Sequence, residues 1–360
     1  MNIKDIKNIS EYATSYKDEV SDKECLIVDK EVRTCEEFST NIINHAKRFV
    51  SLGLNKGDRV GILLFNSIEY LEIMYGAMYA GVVPVNINAR YKTNELDYLL
   101  KDSDCRYLFI SSESDEITNF AQLILSVLDE NNQKVGSLID TYVIGGSDDE
   151  RLKDFTEFLQ LRIDNVEINT PISKGDDPAF IMYTSGTTSN PKGCPLSHNN
   201  MIHSSVSMAE RWTMTEKDTF WDPLPMFHMS AILPFSACLI SKAPYISTVY
   251  FDADESLKIL EEKKVTIAFP AFPAIMLALI NHPEFDASKL SEIRILNNVA
   301  PIDTLRSFQD ALPNAKQVSA YGLTEAGGVT SYGSPDDPLE KRITTSGRPF
   351  PGVEIRIIDP

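Results

Sequence analysis

The residues best equipped for chemistry lie in Tyr183-Thr184-Ser185-Gly186-Thr187-Thr188-Ser189-Asn190-Pro191-Lys192-Gly193. Glycines let backbone N–H groups come close to a ligand, Ser and Thr hydroxyls donate hydrogen bonds, and a lysine adds a mobile positive charge. A segment of this composition is suited to holding phosphates and points to ATP-dependent chemistry. The apolar run Ala179-Phe180-Ile181-Met182 just before it reads as a buried strand. The pattern G-x-x-x-x-G-K-[ST] is not met: Lys192 precedes Gly193, and Cys194 stands where a magnesium-reaching hydroxyl would be needed. A generic ATPase or kinase is therefore disfavoured. A Ser/Thr/Gly surface loop with Pro191 as its turn residue is the purely structural alternative.

Two further groupings could act with this loop. In Tyr321-Gly322-Leu323-Thr324-Glu325 a carboxylate stands beside a hydroxyl, a pairing that can hold Mg²⁺ through one or two oxygens. Its structural alternative is a turn with Thr324 as a helix N-cap. His228 lies in Pro223-Leu224-Pro225-Met226-Phe227-His228-Met229-Ser230. His198 and His203 are spaced so that a helix does not put them on one face, and no metal site is expected from them.

The pattern Y-T-S-G-T-T-x-x-P-K-G resembles the signature loop of the adenylate-forming superfamily: acyl- and aryl-CoA ligases, luciferases and peptide-synthetase adenylation domains. The acyl-CoA synthetase branch fits best. The resemblance covers almost the whole chain. Leu54-Asn55-Lys56-Gly57-Asp58-Arg59-Val60-Gly61 and Ala80-Gly81-Val82-Val83-Pro84-Val85-Asn86 look like the family's early strands and serve as scaffold. The resemblance implies that Thr184, Ser185, Gly186, Thr187, Thr188 and Lys192 hold the phosphates of ATP. It implies that Thr324 contacts the α-phosphate, Glu325 binds the Mg²⁺ of MgATP, and Tyr321, between Ala320 and Gly322, lies along the adenine. His228 is the expected gate between acyl and nucleotide sites. Val299, Ala300 and Pro301 match a turn whose backbone lies against adenine and acyl group. Asn297 and Asn298 replace the family's frequent glycines there and put the shape of that wall in question, and Ser319 replaces a frequent Asn or Gln. The expected catalytic set is Thr184, Lys192, His228, Thr324 and Glu325.

The implied reaction is attack of a carboxylate on the α-phosphorus of ATP, departure of pyrophosphate, and displacement of AMP by the thiol of CoA. A nucleotide-binding module without catalysis, and adenylation for an acceptor other than CoA, stay open as alternatives. Amino-acid adenylation domains place an Asp just after the position of His228. Met229 and Ser230 stand here instead, which argues against an α-amino acid. Ser189 resembles the crotonobetaine/carnitine-CoA ligase branch, but Met229 and Ser230 also speak against a carnitine-like cation. Ala326, Gly327 and Gly328 leave room for an acyl chain, so a short- to medium-chain or branched acid is expected.

These residues need a scaffold, and 360 residues suffice for about two domains. Short continuous apolar runs alternate with helical patterns: Arg59–Phe65, Ile68–Ala80, Val82–Val85, Thr93–Lys101, Arg106–Ile110. The alternation resumes with strands at Thr219–Trp221, Ile246–Tyr250, Val265–Phe269, Ile293–Leu296 and Lys316–Ala320. This predicts an α/β fold of two stacked, largely parallel sheets flanked by helices, plus the start of a small β-barrel subdomain. The expected division is 51–195 as a first α/β subdomain, 10–50 with 196–325 as a second, and 326–360 as linker and β start. Asp115 is expected to cap a helix bearing Ile117, Phe120, Ala121, Ile124, Val127 and Leu128 on one face. Residues 131–149 read as a surface excursion, and Val353–Ile358 as a strand. The family's downstream ribose-binding Asp, hinge and Lys-bearing lid have no counterpart before Pro360, so the chain reads as the large N-terminal domain cut short, with at most weak turnover alone.

A net charge of −18 argues against nucleic-acid and anionic-membrane partners. The longest apolar run, Val265–Ile280, is short for a membrane span and broken by Pro270 and Pro273. The five cysteines form no C-x-x-C pair, which fits free thiols in a reducing cytoplasm, with Cys194 as a small strand residue. A homodimer is one expectation for the assembly.

Overall fold

The structure, a computed structural model, describes residues 6–15, 20–115, 118–184 and 190–358. The chain divides into two units: Met1–Lys23 with Arg33–Met201 and Met226–His228, and Glu24–Val32 with Ile202–Pro225 and Met229–Pro360.

The first unit is built on a seven-stranded sheet in the order Lys153–Asp154, Asp140–Ile144, Cys105–Ser111, Arg59–Leu63, Val83–Asn86, Pro178–Thr184, Lys192–Ser197. All pairs are parallel except the last, which is antiparallel. Its middle strands are buried on both faces, as continuous apolar runs require. The helix Cys35–Ser51 starts at a capping box: Thr34 accepts from the Glu37 N–H while the Glu37 carboxylate accepts from the Thr34 N–H. Ser67 caps Ile68–Tyr79.

Two expectations fail here. Asp115 does not cap the helix Phe120–Glu130; Asn119 does, by accepting from the Gln122 N–H. Asp115 instead accepts from the Thr118 N–H at 2.7 Å and pairs with Arg90. A side-chain oxygen caps only the N–H groups two or three residues on, so a helix that starts at Phe120 takes Asn119 as its cap and leaves Asp115 out of reach. Phe120, Ile124, Val127 and Leu128 are buried on one face as expected, while Ile117 lies outside the described residues. Residues 131–149 are not only a surface excursion: Asp140–Ile144 is a strand with Tyr142 and Val143 buried. Its neighbours are polar enough to hide a short apolar core from a pattern search.

The second unit carries a seven-stranded sheet in the order Lys316–Val318, Ile295–Asn298, Ile267–Ala271, Phe220–Trp221, Tyr245–Ser247, Glu24–Val28, Glu31–Thr34. Pairing is parallel from Lys316–Val318 to Glu24–Val28. One face packs Trp221, Ile246 and Leu296 against Leu260, Met276 and Phe308 from the helices that cover it. The other carries a chain of rings in which Trp212 meets Phe269 at 6.1 Å and Tyr332 at 4.7 Å. The run Val265–Ile280 becomes a strand, then the helix Pro273–Ile280 with proline in its first turn.

The strands Ala320–Tyr321, Ser331–Tyr332 and Arg348–Pro349 form a third, antiparallel sheet. The Arg211 guanidinium donates to the carbonyls of Tyr332 (2.7 Å), Arg348 (3.0 Å) and Pro349 (3.0 Å), satisfying backbone acceptors that these short strands leave over. The α/β class and the two largely parallel sheets are as expected. The expected beginning of a barrel takes the form of this small sheet, with no closed barrel among the described residues. Val353–Ile358 is not a strand: it pairs with no described strand, and Ile357 is 95% exposed. Alternation of apolar and polar residues makes a strand only where a ladder partner exists. None of the five cysteines forms a disulfide among the described residues, and no helix among them is long and apolar enough to cross a membrane.

Candidate functional site

In the first unit the antiparallel register sets Thr184 opposite Lys192, Tyr183 opposite Gly193 and Met182 opposite Cys194. The two strands that flank the expected phosphate loop are thus paired with each other. Ser185, Gly186, Thr187, Thr188 and Ser189 lie outside the described residues. Opposed residues of such a pair have Cβ atoms about 5 Å apart, so the Thr184 hydroxyl and the Lys192 side chain start from one place. Lys192 is exposed and makes no side-chain hydrogen bond or ion pair among the described residues, leaving its ammonium for a ligand.

This strand pair is anchored by contacts that sequence reasoning did not single out. The Tyr183 hydroxyl donates to Asp102 Oδ2 at 2.6 Å, at the end of the helix Thr93–Ser103. Burial first, then the Asp102 carboxylate, raise the Tyr183 pKa far above that of a free phenol, so it stays a donor. A Cβ on Gly193 would lie 3.1 Å from the Tyr183 ring, which shows how closely the ring covers the glycine beside Lys192. Tyr183→Phe is expected to loosen this strand pair by about 1 kcal/mol. Amide exchange of residues 192–197 should then speed up about fivefold; unchanged exchange would discount the anchor.

In the second unit the strand order turns at Phe220–Trp221: the next strand, Tyr245–Ser247, joins one side and the following one, Ile267–Ala271, the other. Open α/β sheets bind ligands beyond the carboxyl ends of strands at such a reversal. Four segments leave those ends: Asp222–Pro225, Ala271–Phe272, Val299–Pro301 and Ser319–Glu325. Pro270 cannot donate to the ladder, the register shifts between Ala268 and Ala271, and Ala271 takes a left-handed φ of 53°. Val299 N–H donates to the Ala271 carbonyl at 2.8 Å and holds that conformation. Backbone strain of this kind concentrates at functional sites.

Val299 is 49% exposed and Tyr321 57%, so both present apolar surface for a ligand to cover. Ala320 is buried and Ala300 half-buried. Asn297 and Asn298 are buried, and Asn298 donates to Gln317 Oε1 at 2.9 Å. The two asparagines therefore alter the interior and leave the outer surface of the turn to Val299, Ala300 and Pro301. Ser319 is buried as well.

Thr324 and Glu325 lie on a single 3₁₀ turn, Thr324–Ala326. The Gly327 N–H donates to Thr324 O at 3.0 Å, while Thr330 donates to Tyr321 O through N–H (2.9 Å) and hydroxyl (3.1 Å), closing the loop. A Cβ on Gly322 would stand 2.1 Å from Gly328 O, so only glycine fits there. Glu325 is exposed and its carboxylate has no partner among the described residues. No group of three or more His, Cys, Asp or Glu among the described residues could hold a metal ion. A lone free carboxylate fits a Mg²⁺ that brings phosphates and waters as its other ligands, and does not fit an all-protein cage.

His228 meets the ring of buried Phe227 edge-on, centroids 4.6 Å apart. Protein crowding around it lowers its pKa, so the imidazole is neutral at pH 7. His198 is buried against Ser173 Oγ at 2.9 Å, and His203 Nε2 lies 2.7 Å from Pro351 O, so both have structural partners.

The profile of the AMP-binding enzymes matches residues 14–360. The chain belongs to the AMP-binding enzyme family. It is 31% identical over 352 residues to YngI of Bacillus subtilis, whose name places it provisionally among acyl-CoA synthetases, covering 92% of this chain and 63% of that protein. It is 26% identical to the human mitochondrial medium-chain acyl-CoA ligase ACSF2, covering 94% of this chain and 59% of that one. The chain thus spans about six-tenths of the length of these relatives. Among solved structures, the N-terminal domain of FACL13 from Mycobacterium tuberculosis superposes with a TM-score of 0.80 at 25% identity, over 96% of this chain and 83% of that one. ATP-bound MatB from Rhodopseudomonas palustris shares the fold, with a TM-score of 0.83 at 23% identity over 99% and 67%.

Proposed function

We propose that this AMP-binding enzyme activates a carboxylic acid with ATP, as the adenylating part of an acyl-CoA ligase. The observation that carries the reading is the cross-strand pair of Thr184 with Lys192, whose ammonium has no partner among the described residues. Membership of the family supports it, as do two relatives named for acyl-CoA ligation.

In this reading Thr184, Lys192 and the residues 185–188 grip the phosphates, and Glu325 would hold a Mg²⁺ brought with them. Thr324 donates to the α-phosphate. Val299, Ala300, Pro301, Ala320, Tyr321 and Gly322 form the wall against the adenine. Lys192 neutralises charge growing on the phosphoryl oxygens while the carboxylate oxygen attacks phosphorus and pyrophosphate leaves; a Mg²⁺ on Glu325 would add Lewis-acid stabilisation of that charge. The thiol sulfur of CoA then attacks the acyl carbon of the acyl-adenylate, and AMP leaves. Neutral His228 gates the acyl side without adding a charge that would trap the acid.

The acid is a short- to medium-chain or branched aliphatic one. A Cβ on Gly328 would meet Met229 at 3.1 Å and Leu233 at 3.4 Å, so Gly328 lies against apolar side chains. No carboxylate follows His228 to pair with an amine. The test is ATP–pyrophosphate exchange across acetate, butyrate, isovalerate, hexanoate and octanoate. Acid-dependent exchange with at least one of them is expected, and exchange with none would sink the reading. Acid-independent release of ADP would point to an ATPase instead.

A further inference from the structure

Asp222 is fully buried at the carboxyl end of the strand where the order of the second unit's sheet turns, and the mechanism above does not use it. Its Oδ1 accepts from the Leu224 N–H at 2.9 Å, and its Oδ2 accepts from the Tyr245 hydroxyl at 3.1 Å. No Lys, Arg or His pairs with it among the described residues, and burial pushes its carboxyl well above the usual carboxylate range. A buried carboxyl without a cation is costly, so packing alone does not account for it.

The segment that follows has few ways to hold itself. Pro223 and Pro225 have no N–H, so Leu224 and Met226 supply the only backbone donors between Asp222 and Phe227. Both are taken by buried side chains: Leu224 by Asp222 Oδ1, and Met226 by Asn66 Oδ1 at 2.7 Å. The two prolines restrict φ, and the two side chains take every donor. The path of the chain into Phe227 and His228 is thereby set from both ends.

We propose that Asp222 is a positioning residue that, through its hold on Leu224, sets the turn delivering His228. The role rests on the adenylating reading for its kinetic consequence, but the hydrogen bond can be tested without it. The distinguishing element is the acceptor, not the charge: Asp222→Asn keeps an Oδ1 for Leu224, whereas Asp222→Ala removes that acceptor from the Leu224 N–H.

The first measurement is amide hydrogen exchange of Leu224 and Met226. Asp222→Ala is expected to speed exchange at Leu224 about tenfold and Asp222→Asn less than about threefold. Unchanged exchange at Leu224 in Asp222→Ala overturns the proposal. The second is pyrophosphate exchange with the fastest acid of the panel. Asp222→Ala is expected to lower kcat about tenfold with KM for ATP within about twofold, and Asp222→Asn to restore most of it. Added to His228→Ala, Asp222→Ala should cost little more, because both remove one function. A loss that multiplies in the double variant shows action independent of His228 and overturns the role. A wild-type protein that shows no exchange with any acid counts against the function, and the amide-exchange result then judges Asp222 alone.

Discussion

Glu325→Ala is expected to slow acid-dependent pyrophosphate exchange about a thousandfold, equivalent to about 4 kcal/mol of transition-state stabilisation. Glu325 offers the lone carboxylate of its turn, exposed and free of partners among the described residues. A Mg²⁺ held by one protein carboxylate and by phosphates loses its link to the protein when that carboxylate goes. Glu325→Gln keeps the shape and should lose nearly as much, because an amide is a poor ligand for a hard dication. Since Glu325 holds nothing in the fold, the urea midpoint should not move. The check is exchange measured across a range of Mg²⁺ concentrations. A wild-type rate in Glu325→Ala would remove Glu325 from the metal site.

Gly322→Ala is expected to destabilise the second unit by about 3 kcal/mol, the upper range for an added methyl in a closed space. The added Cβ would lie 2.1 Å from Gly328 O and 2.4 Å from Val329 Cα. Both are backbone atoms in a loop tied down by Thr330 and by the strand pairing of Ala320–Tyr321 with Ser331–Tyr332. No rotamer change relieves that clash, so the loop carrying Thr324 and Glu325 must open. Both tryptophans, Trp212 and Trp221, are in this unit, and Trp212 packs edge-on against Tyr332. Tryptophan fluorescence in urea therefore reports the effect directly. The midpoint should fall by about 1 to 2 M. An unchanged midpoint would mean that the loop does not make this close approach.

Both predictions rest on residues that a sequence pattern could pick out, yet each depends on geometry that a pattern does not contain. Strands such as Arg59–Leu63 and Ile295–Asn298 were legible because apolar runs bounded by Gly, Pro and polar residues leave few other options. The strand Asp140–Ile144 was not, because its apolar centre is short and set among turn residues. The reverse error occurred at Val353–Ile358, where alternation without a described partner makes no ladder. Asp115 and Asn119 are both good caps by type, and only the first helical residue decides between them.

Most element types and the chemistry available can be read from the residues: a hydroxyl- and lysine-bearing segment, a Thr-Glu turn and a histidine beside prolines. Those properties are local, since hydrophobic period, caps and glycine placement act over a few residues. The tertiary structure alone decided which distant groups hold that chemistry in place. Tyr183 reaches Asp102 across 81 positions, and Asn66 reaches Met226 across 160. Such pairs form only after sheets and helices have packed. A residue's own neighbours in sequence carry almost no record of the partner that burial will bring to it.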